Sequence, residues 1–425
     1  MKIVTRVLLG VLVALATMSL VNCNSYSCGG FGSLPCTSAS TGNGSGNFGG
    51  GGGGGSSATA FAYAIDQAGT VDGYSLNTTA GTFAATSGYT APTIPTNEGG
   101  VGMVVAQEQY LYAGLGSAEE LYGFTISSSG ALTAISGSPY SAPYLALYGT
   151  GVGQANMITN PDGTILFISD TLESEIYVYE IGSGGVLTAA TGSPFTVPFE
   201  PMNLATDGLG KYLYAINGNF NTHTGSEIAA FSIGTGGALT AVPGSPFSYP
   251  MWLVKGEPTG QFLIGTSGNS AFYSGSDDDH LYVFAIVQSG ADAGAIAPVS
   301  GSPFSTVFSP YTIAVQPTGG LIYSFSFNDT ATGFNGIEGY SISSAGALTA
   351  DTNSPFTGVT EGSWGQFDQS GDLLFNYASY LDSSTNAVVT TLAPLNVASP
   401  SGALTQPIPA LTLASPGFWV VTDPQ

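Results

Sequence analysis

The residues best suited to chemistry are few, and the densest group is an acidic run that ends in histidine, Asp277-Asp278-Asp279-His280. Clustered carboxylates supply the oxygen ligands that Ca²⁺ prefers, and the imidazole of His280 could join a softer metal. The spacing does not match an EF-hand loop, and a solvated acidic loop is the alternative interpretation. Asn328 and Asp329 stand in another long loop and could supplement the group. We predict that these residues bind a ligand. Ca²⁺ is the only candidate cofactor, and no metal is assigned.

Two isolated side chains are weaker candidates for catalysis. His223 stands in Asn221-Thr222-His223-Thr224, a long polar loop, where it could act as a general base or be an ordinary surface residue. Lys255 ends the apolar stretch Met251-Trp252-Leu253-Val254-Lys255. Its ammonium could bind an anion or polarise a carbonyl, and a paired structural lysine or an irregular strand register is the alternative. The corresponding positions of neighbouring repeats are apolar: Ile158, Ala205 and Ala314.

The charge balance excludes one class of partner. The chain has 425 residues, four Lys and Arg against 27 Asp and Glu, and a formal net charge of −23. Nucleic-acid affinity depends on basic side chains that neutralise phosphates, so nucleic-acid binding is excluded. A phosphorylated substrate would also lack a cationic clamp. We expect an unidentified small molecule, a glycan or a protein as partner, and a monomeric chain.

The first residues resemble a bacterial export signal. Lys2 and Arg6 precede the apolar stretch Val7–Leu20, which is too short for a comfortable membrane span. Leu20-Val21-Asn22-Cys23 resembles a lipoprotein box, so we predict a signal peptide over 1–22 and lipidation of Cys23. An ordinary secretory signal cleaved nearby is the alternative, and both predict an exported protein of the bacterial cell envelope. Residues 23–57 are rich in Gly and Ser and are predicted to form a flexible linker.

The elements that must position these side chains are repeats. A Gly-Ser-Pro-aromatic phrase recurs at intervals of about 50 to 60 residues, a period typical of stacked or circular architectures. It begins at Gly137, Gly192, Gly244 and Gly301, and in the variant form Asn353-Ser354-Pro355-Phe356. We expect its Gly and Pro to shape a connection and its aromatic side chain to pack between neighbouring units.

One unit, residues 153–197, shows the internal pattern most clearly. Apolar runs at 155–159, 165–169 and 175–181 are separated by turn signals such as Pro161-Asp162-Gly163, and Val186-Leu187-Thr188-Ala189 follows a Gly-rich turn. Four short strands with intervening turns are typical of a propeller blade. Five clear units and two degenerate ones predict seven blades over residues 58–425.

The two ends of the repeat region are out of phase. The first unit begins at what should be its second strand, and the chain ends with Phe418-Trp419-Val420-Val421-Thr422-Asp423, which looks like a first strand. Pairing these ends would complete the first blade and leave no open sheet edge. The fold prediction is therefore an all-β, seven-bladed propeller of four-stranded blades, closed by the C-terminal strand joining the N-terminal blade.

The units resemble the lactonase-like, or YVTN-type, seven-bladed propellers, relatives of 6-phosphogluconolactonase and carboxymuconate cyclase. The phrases that carry the resemblance are Asn160-Pro161-Asp162-Gly163, Lys211-Tyr212-Leu213-Tyr214-Ala215, Leu281-Tyr282-Val283 and the turn phrase Gly237-Ala238-Leu239-Thr240. The resemblance implies His, Arg and Glu in the propeller mouth, often with His or Arg opening an inner strand. Here those strands open with Ala155-Asn156, Met202-Asn203, Met251-Trp252 and Pro310-Tyr311-Thr312.

The functional prediction follows from that difference. Loops on a rigid scaffold often carry function, and the long loops of this chain are predicted to lie on one face of the propeller. We predict an exported, lipid-anchored propeller that binds a ligand or protein partner through that face. The alternative is a lactonase-like hydrolase of a neutral lactone or sugar-derived substrate, so the sequence leaves open whether the protein is an enzyme.

Overall fold

The computed structural model describes residues 60–65, 69–94, 100–115, 119–142, 157–217, 227–267, 278–326, 336–360, 362–382, 387–413 and 418–422. These residues all belong to one compact unit, formed by Ser57–Leu147 and Gly151–Gln425. The predicted signal peptide, Cys23 and the linker lie outside the described residues. Within the described ranges, no helix is long and apolar enough to span a membrane.

The described chain forms seven antiparallel sheets, which confirms the predicted propeller. We number the blades 1 to 7 along the chain and designate their strands a to d from the axis outward. The a strands of neighbouring blades contact one another in a closed circle. In order of blade, strands a are Phe418–Thr422, Gly100–Ala106, Met157–Thr159, Asn203–Thr206, Leu253–Gly256, Thr312–Val315 and Trp364–Phe367.

The remaining strands follow the same order in every blade. Strands b are Ala60–Ile65, Tyr110–Leu115, Ile165–Asp170, Tyr212–Ile216, Phe262–Thr266, Leu321–Phe325 and Leu373–Asp382. Strands c are Val71–Asn77, Glu120–Ile126, Glu175–Ile181, Ile228–Ile233, His280–Ile286, Ile337–Ile342 and Ala387–Ala398. Strands d are Thr82–Ala85, Leu132–Ala134, Leu187–Ala189, Leu239–Ala241, Ile296–Pro298, Leu348–Ala350 and Ala403–Thr405. Four blades carry an added short strand on strand c: Tyr140–Ser141, Phe195–Thr196, Phe304–Ser305 and Leu411–Leu413.

Ring closure occurs as the sequence predicts. Strand a of blade 1 comes from the C-terminal part of the chain and pairs antiparallel with strand b, Ala60–Ile65. The register runs from Phe61 opposite Thr422 to Ile65 opposite Phe418. Blade 1 is therefore completed by both ends of the repeat region, and strand b of that blade has partners on both sides.

The core lies between blades, because both faces of each inner sheet are covered. Strand 4b, Tyr212–Ile216, is buried at every residue. Tyr212, Tyr214 and Ile216 pack into a cluster with blade 5, whereas Leu213 and Ala215 pack into a cluster with blade 3. Successive side chains of a strand point to opposite faces, so a strand buried on both faces is a continuous apolar run.

Buried tyrosines on four b strands connect neighbouring blades. Each donates its hydroxyl to the carbonyl of a glycine in the c–d turn of the next blade. The four bonds are Tyr63 to Gly130 at 2.8 Å, Tyr112 to Gly185 at 2.7 Å, Tyr214 to Gly294 at 3.1 Å and Tyr323 to Gly402 at 2.7 Å. Burial raises the pKa of all four phenols, so they remain protonated donors.

The serine of the repeated phrase has a role that the sequence did not predict. Its hydroxyl accepts a hydrogen bond from a backbone N–H in the middle of strand c of the same blade. In chain order the donors and distances are Gly123 to Ser138 at 3.0 Å, Val178 to Ser193 at 2.9 Å, Ala230 to Ser245 at 2.8 Å, Val283 to Ser302 at 3.1 Å and Gly339 to Ser354 at 3.1 Å. The phrase thus lies where strand d stops pairing with strand c. The serine hydroxyl there accepts the strand c N–H that strand d no longer bonds.

Polar side chains also stabilise the a–b turns. Asn160, Asp207, Glu257 and Asp368 are each at most 6% exposed, and each accepts backbone N–H groups from the turn that follows it. Burial raises the pKa of Asp207 and Asp368, and the donated N–H groups oppose that rise. These acids are committed to the turns, so they do not contribute free carboxylates to a site.

Asp351 places a carboxyl group among the packed side chains of blade 6. It stands three residues before the phrase serine, where four other blades have Ile135, Ala190, Val242 and Val299. Its Oδ2 is buried without a hydrogen-bond partner among the described residues, and burial raises the pKa of the carboxyl. An unsatisfied buried oxygen costs about 1–3 kcal/mol.

Asp351→Val is therefore expected to raise the free energy of unfolding at pH 7 by about 1–3 kcal/mol. A pKa that is raised on folding disfavours the folded state above the ordinary value of 3.8. The gain should therefore shrink as the pH falls towards that value. Denaturant titrations at pH 7 and pH 4 measure it, with Asp351→Asn as the control that keeps a polar side chain. A valine variant less stable than the wild type at pH 7 would contradict the prediction.

Candidate functional site

The candidate site lies where strand 5c begins, on the face of blade 5 that is turned towards blade 4. Leu281 and Val283 of this strand pack in a cluster with blade 6. Phe284, on the opposite face, packs in the cluster that contains Tyr214 of blade 4. Because side chains alternate along a strand, His280 and Tyr282 lie on the same face as Phe284. We refer to the region formed by Asp278, His280, Tyr282, Ser267, Phe247 and Tyr249 as the blade 4–5 entrance.

The carboxylate of Asp278 organises the polar part of this entrance. Its Oδ2 accepts hydrogen bonds from the Ser267 hydroxyl at 2.5 Å and the Tyr282 hydroxyl at 2.8 Å. Its Oδ1 lies 2.7 Å from Nδ1 of His280. Burial, the hydrogen bond to Asp278 and its charge all raise the pKa of Tyr282, so the phenol stays a donor. The carboxylate is thus fixed by three neighbouring side chains.

This arrangement orients the imidazole of His280. An ionised carboxylate only accepts hydrogen bonds, so Nδ1 must carry the proton of the contact with Asp278. In the neutral ring, Nε2 is then the basic nitrogen. The side chain is 39% exposed, and no partner of Nε2 is found within the described ranges. The ring can therefore accept a hydrogen bond or a proton from a bound molecule.

Aromatic rings form the apolar part of the entrance. Phe247 and Tyr249, on the connection between blades 4 and 5, are partly buried against the same cluster as Phe284 and Tyr282. The Tyr249 and Phe284 ring centroids are 4.7 Å apart at an interplanar angle of 50°, and Tyr282 stacks on Phe284 at 6.5 Å and 10°. An aromatic surface beside fixed polar groups is typical of a small-molecule site.

The backbone of the acidic run is fixed from the blade 6 side. Thr306 donates its N–H to the carbonyl of Asp279 at 2.9 Å. The segment that follows Thr306 is anchored by the buried Glu338, whose two oxygens accept the N–H groups of Val307 at 2.9 Å and Phe308 at 3.1 Å. Burial raises the pKa of Glu338, and the charge of Asp279 raises it further. Glu338 therefore fixes the backbone segment that holds the acidic run.

Lys255 does not join this group. It lies on strand 5a opposite Ile264, immediately before the a–b turn. Ser267, which contacts Asp278, directly follows the residue that pairs with Leu253. Ser267 and Lys255 are therefore separated by about three residues, or roughly 10 Å, along the strand direction. Burial lowers the pKa of Lys255, and no charged neighbour contributes to the shift.

The structure brings together two of the predicted residues, Asp278 and His280, and leaves Asp279 exposed beside them. His223, Asp277, Asn328 and Asp329 lie outside the described residues, so their predicted roles stay predictions. Tyr282 and Ser267 were not among the residues predicted from the sequence. The two-residue spacing of Asp278, His280 and Tyr282 was a usable signal for Tyr282, since alternate residues of an extended segment point to the same side. Ser267 meets Asp278 only through the tertiary fold.

The donor set does not define a metal site within the described part of the chain. No three His, Cys, Asp or Glu side chains there are grouped so as to hold an ion. The oxygens of Asp278 are already engaged by Ser267, Tyr282 and His280. Calcium binding by the acidic run, which includes Asp277, remains a prediction.

The described chain is a seven-bladed propeller, and it shares this fold with solved structures that carry lactonase names, in agreement with the resemblance seen in the sequence. A candidate 6-phosphogluconolactonase from Bacteroides uniformis superposes with a TM-score of 0.58 at 14% identity, covering 86% of this chain and 100% of the other. A candidate 6-phosphogluconolactonase from Bacteroides fragilis gives 0.57 at 15% identity, with 86% and 98% covered. The periplasmic gluconolactonase of Pseudomonas aeruginosa gives 0.54 at 12% identity, with 86% and 100% covered.

Sequence comparisons add no closer relation. No protein-family model matches the chain, and no curated protein matches it. At these identities the structural neighbours show a shared fold alone.

Proposed function

We propose that the protein is an exported propeller that binds a neutral, sugar-derived ring at the blade 4–5 entrance. The observation that carries the proposal is the Asp278 network, which holds His280 partly exposed beside an aromatic surface. A sugar ring offers hydroxyls to such fixed polar groups and an apolar face to aromatic rings. No Lys or Arg stands among the entrance residues, so a neutral ligand is favoured over a phosphorylated one.

The proposed cellular location rests on the N-terminal residues. Lys2, Arg6 and the apolar stretch Val7–Leu20 support export, and Cys23 supports a lipid anchor in the bacterial envelope. The Gly- and Ser-rich residues 23–57 would tether the propeller to that anchor. A structural neighbour described as periplasmic, the gluconolactonase of Pseudomonas aeruginosa, agrees with this location.

Hydrolysis of a neutral lactone is the second candidate function, and the contact between Asp278 and His280 favours it. In this reaction Nε2 of His280 takes a proton from a water molecule, whose oxygen attacks the lactone carbonyl carbon. The ester C–O bond then breaks, and the ring oxygen leaves as a hydroxyl after receiving that proton. Asp278 holds the imidazole in place through its contact with Nδ1. The lactonase names of the structural neighbours agree with this candidate.

Calorimetry and a pH-stat assay with neutral sugars and gluconolactone test both candidates. Asp278→Asn and His280→Gln are expected to weaken ligand binding about tenfold, because a charge-assisted hydrogen bond is lost or misdirected. If the protein hydrolyses lactones, His280→Gln is also expected to lower kcat/KM by about 100-fold.

Asp292→Asn is the matched control for this test. It removes one exposed negative charge from the c–d turn of the same blade, on the opposite face of the propeller, and is expected to leave binding and turnover unchanged. Binding without turnover would support the binding protein, and turnover lost in His280→Gln would support the hydrolase. If no neutral sugar or lactone binds, or if the entrance variants bind like the control, the proposal is wrong.

A further inference from the structure

Lys255 stands on the innermost strand of blade 5, at a level where the other described blades carry no charged side chain. The equivalent position, two residues before the residue that caps the a–b turn, holds Val105, Ile158, Ala205, Ala314 and Gln366 in the other blades whose side chains are described. The a strands that carry these positions contact one another in a closed circle around the axis. Lys255 is therefore the only ionisable side chain at this level among those described positions.

The immediate neighbours of Lys255 are apolar. Its cross-strand partner is Ile264, and Leu253, two residues earlier on the same face, packs in a cluster with Ile313 and Ile322 of blade 6. On the opposite face, the next residue, Gly256, packs against the backbone of blade 4. Lys255 is itself partly exposed. Its strand neighbours are therefore apolar, while part of the residue remains accessible to solvent.

The acids of the two adjoining a–b turns are engaged by backbone N–H groups. The carboxylate of Glu257 accepts N–H groups of Thr259, Gln261 and Phe262. The carboxylate of Asp207 accepts N–H groups in the a–b turn of blade 4. Neither acid contributes to the lowered pKa of Lys255, which burial alone produces. A lysine held in apolar surroundings without a counter-charge favours the uncharged amine, which is the nucleophilic form.

We propose that Lys255 is a carbonyl-reactive amine that forms a Schiff base with small neutral aldehydes at the innermost strand of blade 5. The amine nitrogen adds to the aldehyde carbon and passes a proton to the aldehyde oxygen, which gives a carbinolamine. The carbinolamine then loses water to give the imine. This site is separate from the blade 4–5 entrance and does not depend on the function proposed for that entrance.

Reductive trapping tests the proposal on the intact protein. The folded protein is incubated with propanal and sodium cyanoborohydride at pH 7, so that hydride transfer to the imine carbon leaves a stable secondary amine. Peptide mass spectrometry then follows modification at Lys255 and at Lys211, an exposed lysine in the a–b turn of blade 4. Lys255 is expected to react at least about tenfold faster than Lys211.

Two comparisons identify the cause of this selectivity. In guanidinium chloride the unfolded chain should modify both lysines at similar rates, since the apolar surroundings are lost. Lys255→Met should abolish the fast adduct while Lys211→Arg leaves it unchanged, and circular dichroism confirms that each variant is folded. The proposal is overturned if folded protein modifies Lys255 no faster than Lys211, or if Lys255 reacts only after unfolding.

Discussion

Gly256→Ala is expected to lower the free energy of unfolding by about 3 kcal/mol, because a Cβ at this position has no space. It would lie 2.2 Å from the carbonyl oxygen of Thr206 and 2.9 Å from the Cα of Asp207. Both are backbone atoms of blade 4, so no side chain can rotate away. Gly208 shows the reciprocal contact, since its Cβ would lie 2.1 Å from the carbonyl oxygen of Glu257. Blades 4 and 5 therefore approach through two glycines.

Gly182→Ala is the matched control, measured with Gly256→Ala by chemical denaturation. Gly182 has a φ of −83°, and a Cβ there would meet its nearest neighbour at 3.4 Å, an ordinary contact. Its substitution should change stability by less than about 1 kcal/mol. Equal effects of the two substitutions would show that the contact between blades is not the cause.

Ending the chain at residue 415 is expected to lower the free energy of unfolding by at least about 5 kcal/mol, at roughly 1 kcal/mol for each residue of the lost ladder. The truncation removes strand 1a, Phe418–Thr422, and leaves strand 1b with an open edge. Strand 1b is buried at all six residues, so the newly exposed edge is apolar and prone to pair with other chains. Thermal unfolding and size-exclusion chromatography should show a less stable protein that associates.

A peptide that spans residues 416–425 provides the control for this truncation. If the defect is the missing strand, adding the peptide should restore the unfolding temperature and the elution volume of the full-length chain. A peptide with the same composition in scrambled order should not. A truncated protein that unfolds like the full chain would show that closure contributes little to stability.

The fold could be predicted from the sequence because its determinants are periodic. The spaced Gly-Ser-Pro-aromatic phrases mark five of the seven blades and set the repeat length, and the out-of-phase ends predict the pairing of Phe418–Thr422 with Ala60–Ile65. The role of Ser245 and its equivalents could not be predicted in this way. Each serine hydroxyl meets an N–H that lies 15 to 19 residues earlier on the neighbouring strand, so the bond depends on strand register and not on local pattern.

The site could be predicted only in part. The acidic run identified Asp278 and His280 as candidates, because their residue types and spacing are visible along one strand. The contact with Ser267 depends on how strands 5b and 5c pair, and the aromatic ring of Tyr249 arrives from the connection between blades. The separation of Lys255 from this group is also a property of the blade geometry, since the two lie at different levels of blade 5.

The strand register that closes the ring also determines how the propeller responds to a pulling force. Phe61 lies opposite Thr422, so the entry to strand 1b and the exit from strand 1a are at the same end of their ladder. Tension applied between these two points loads the hydrogen bonds one after another from that end. It does not load all of them together in shear. A pull between these two points therefore opens the ring at the joint between strands 1a and 1b.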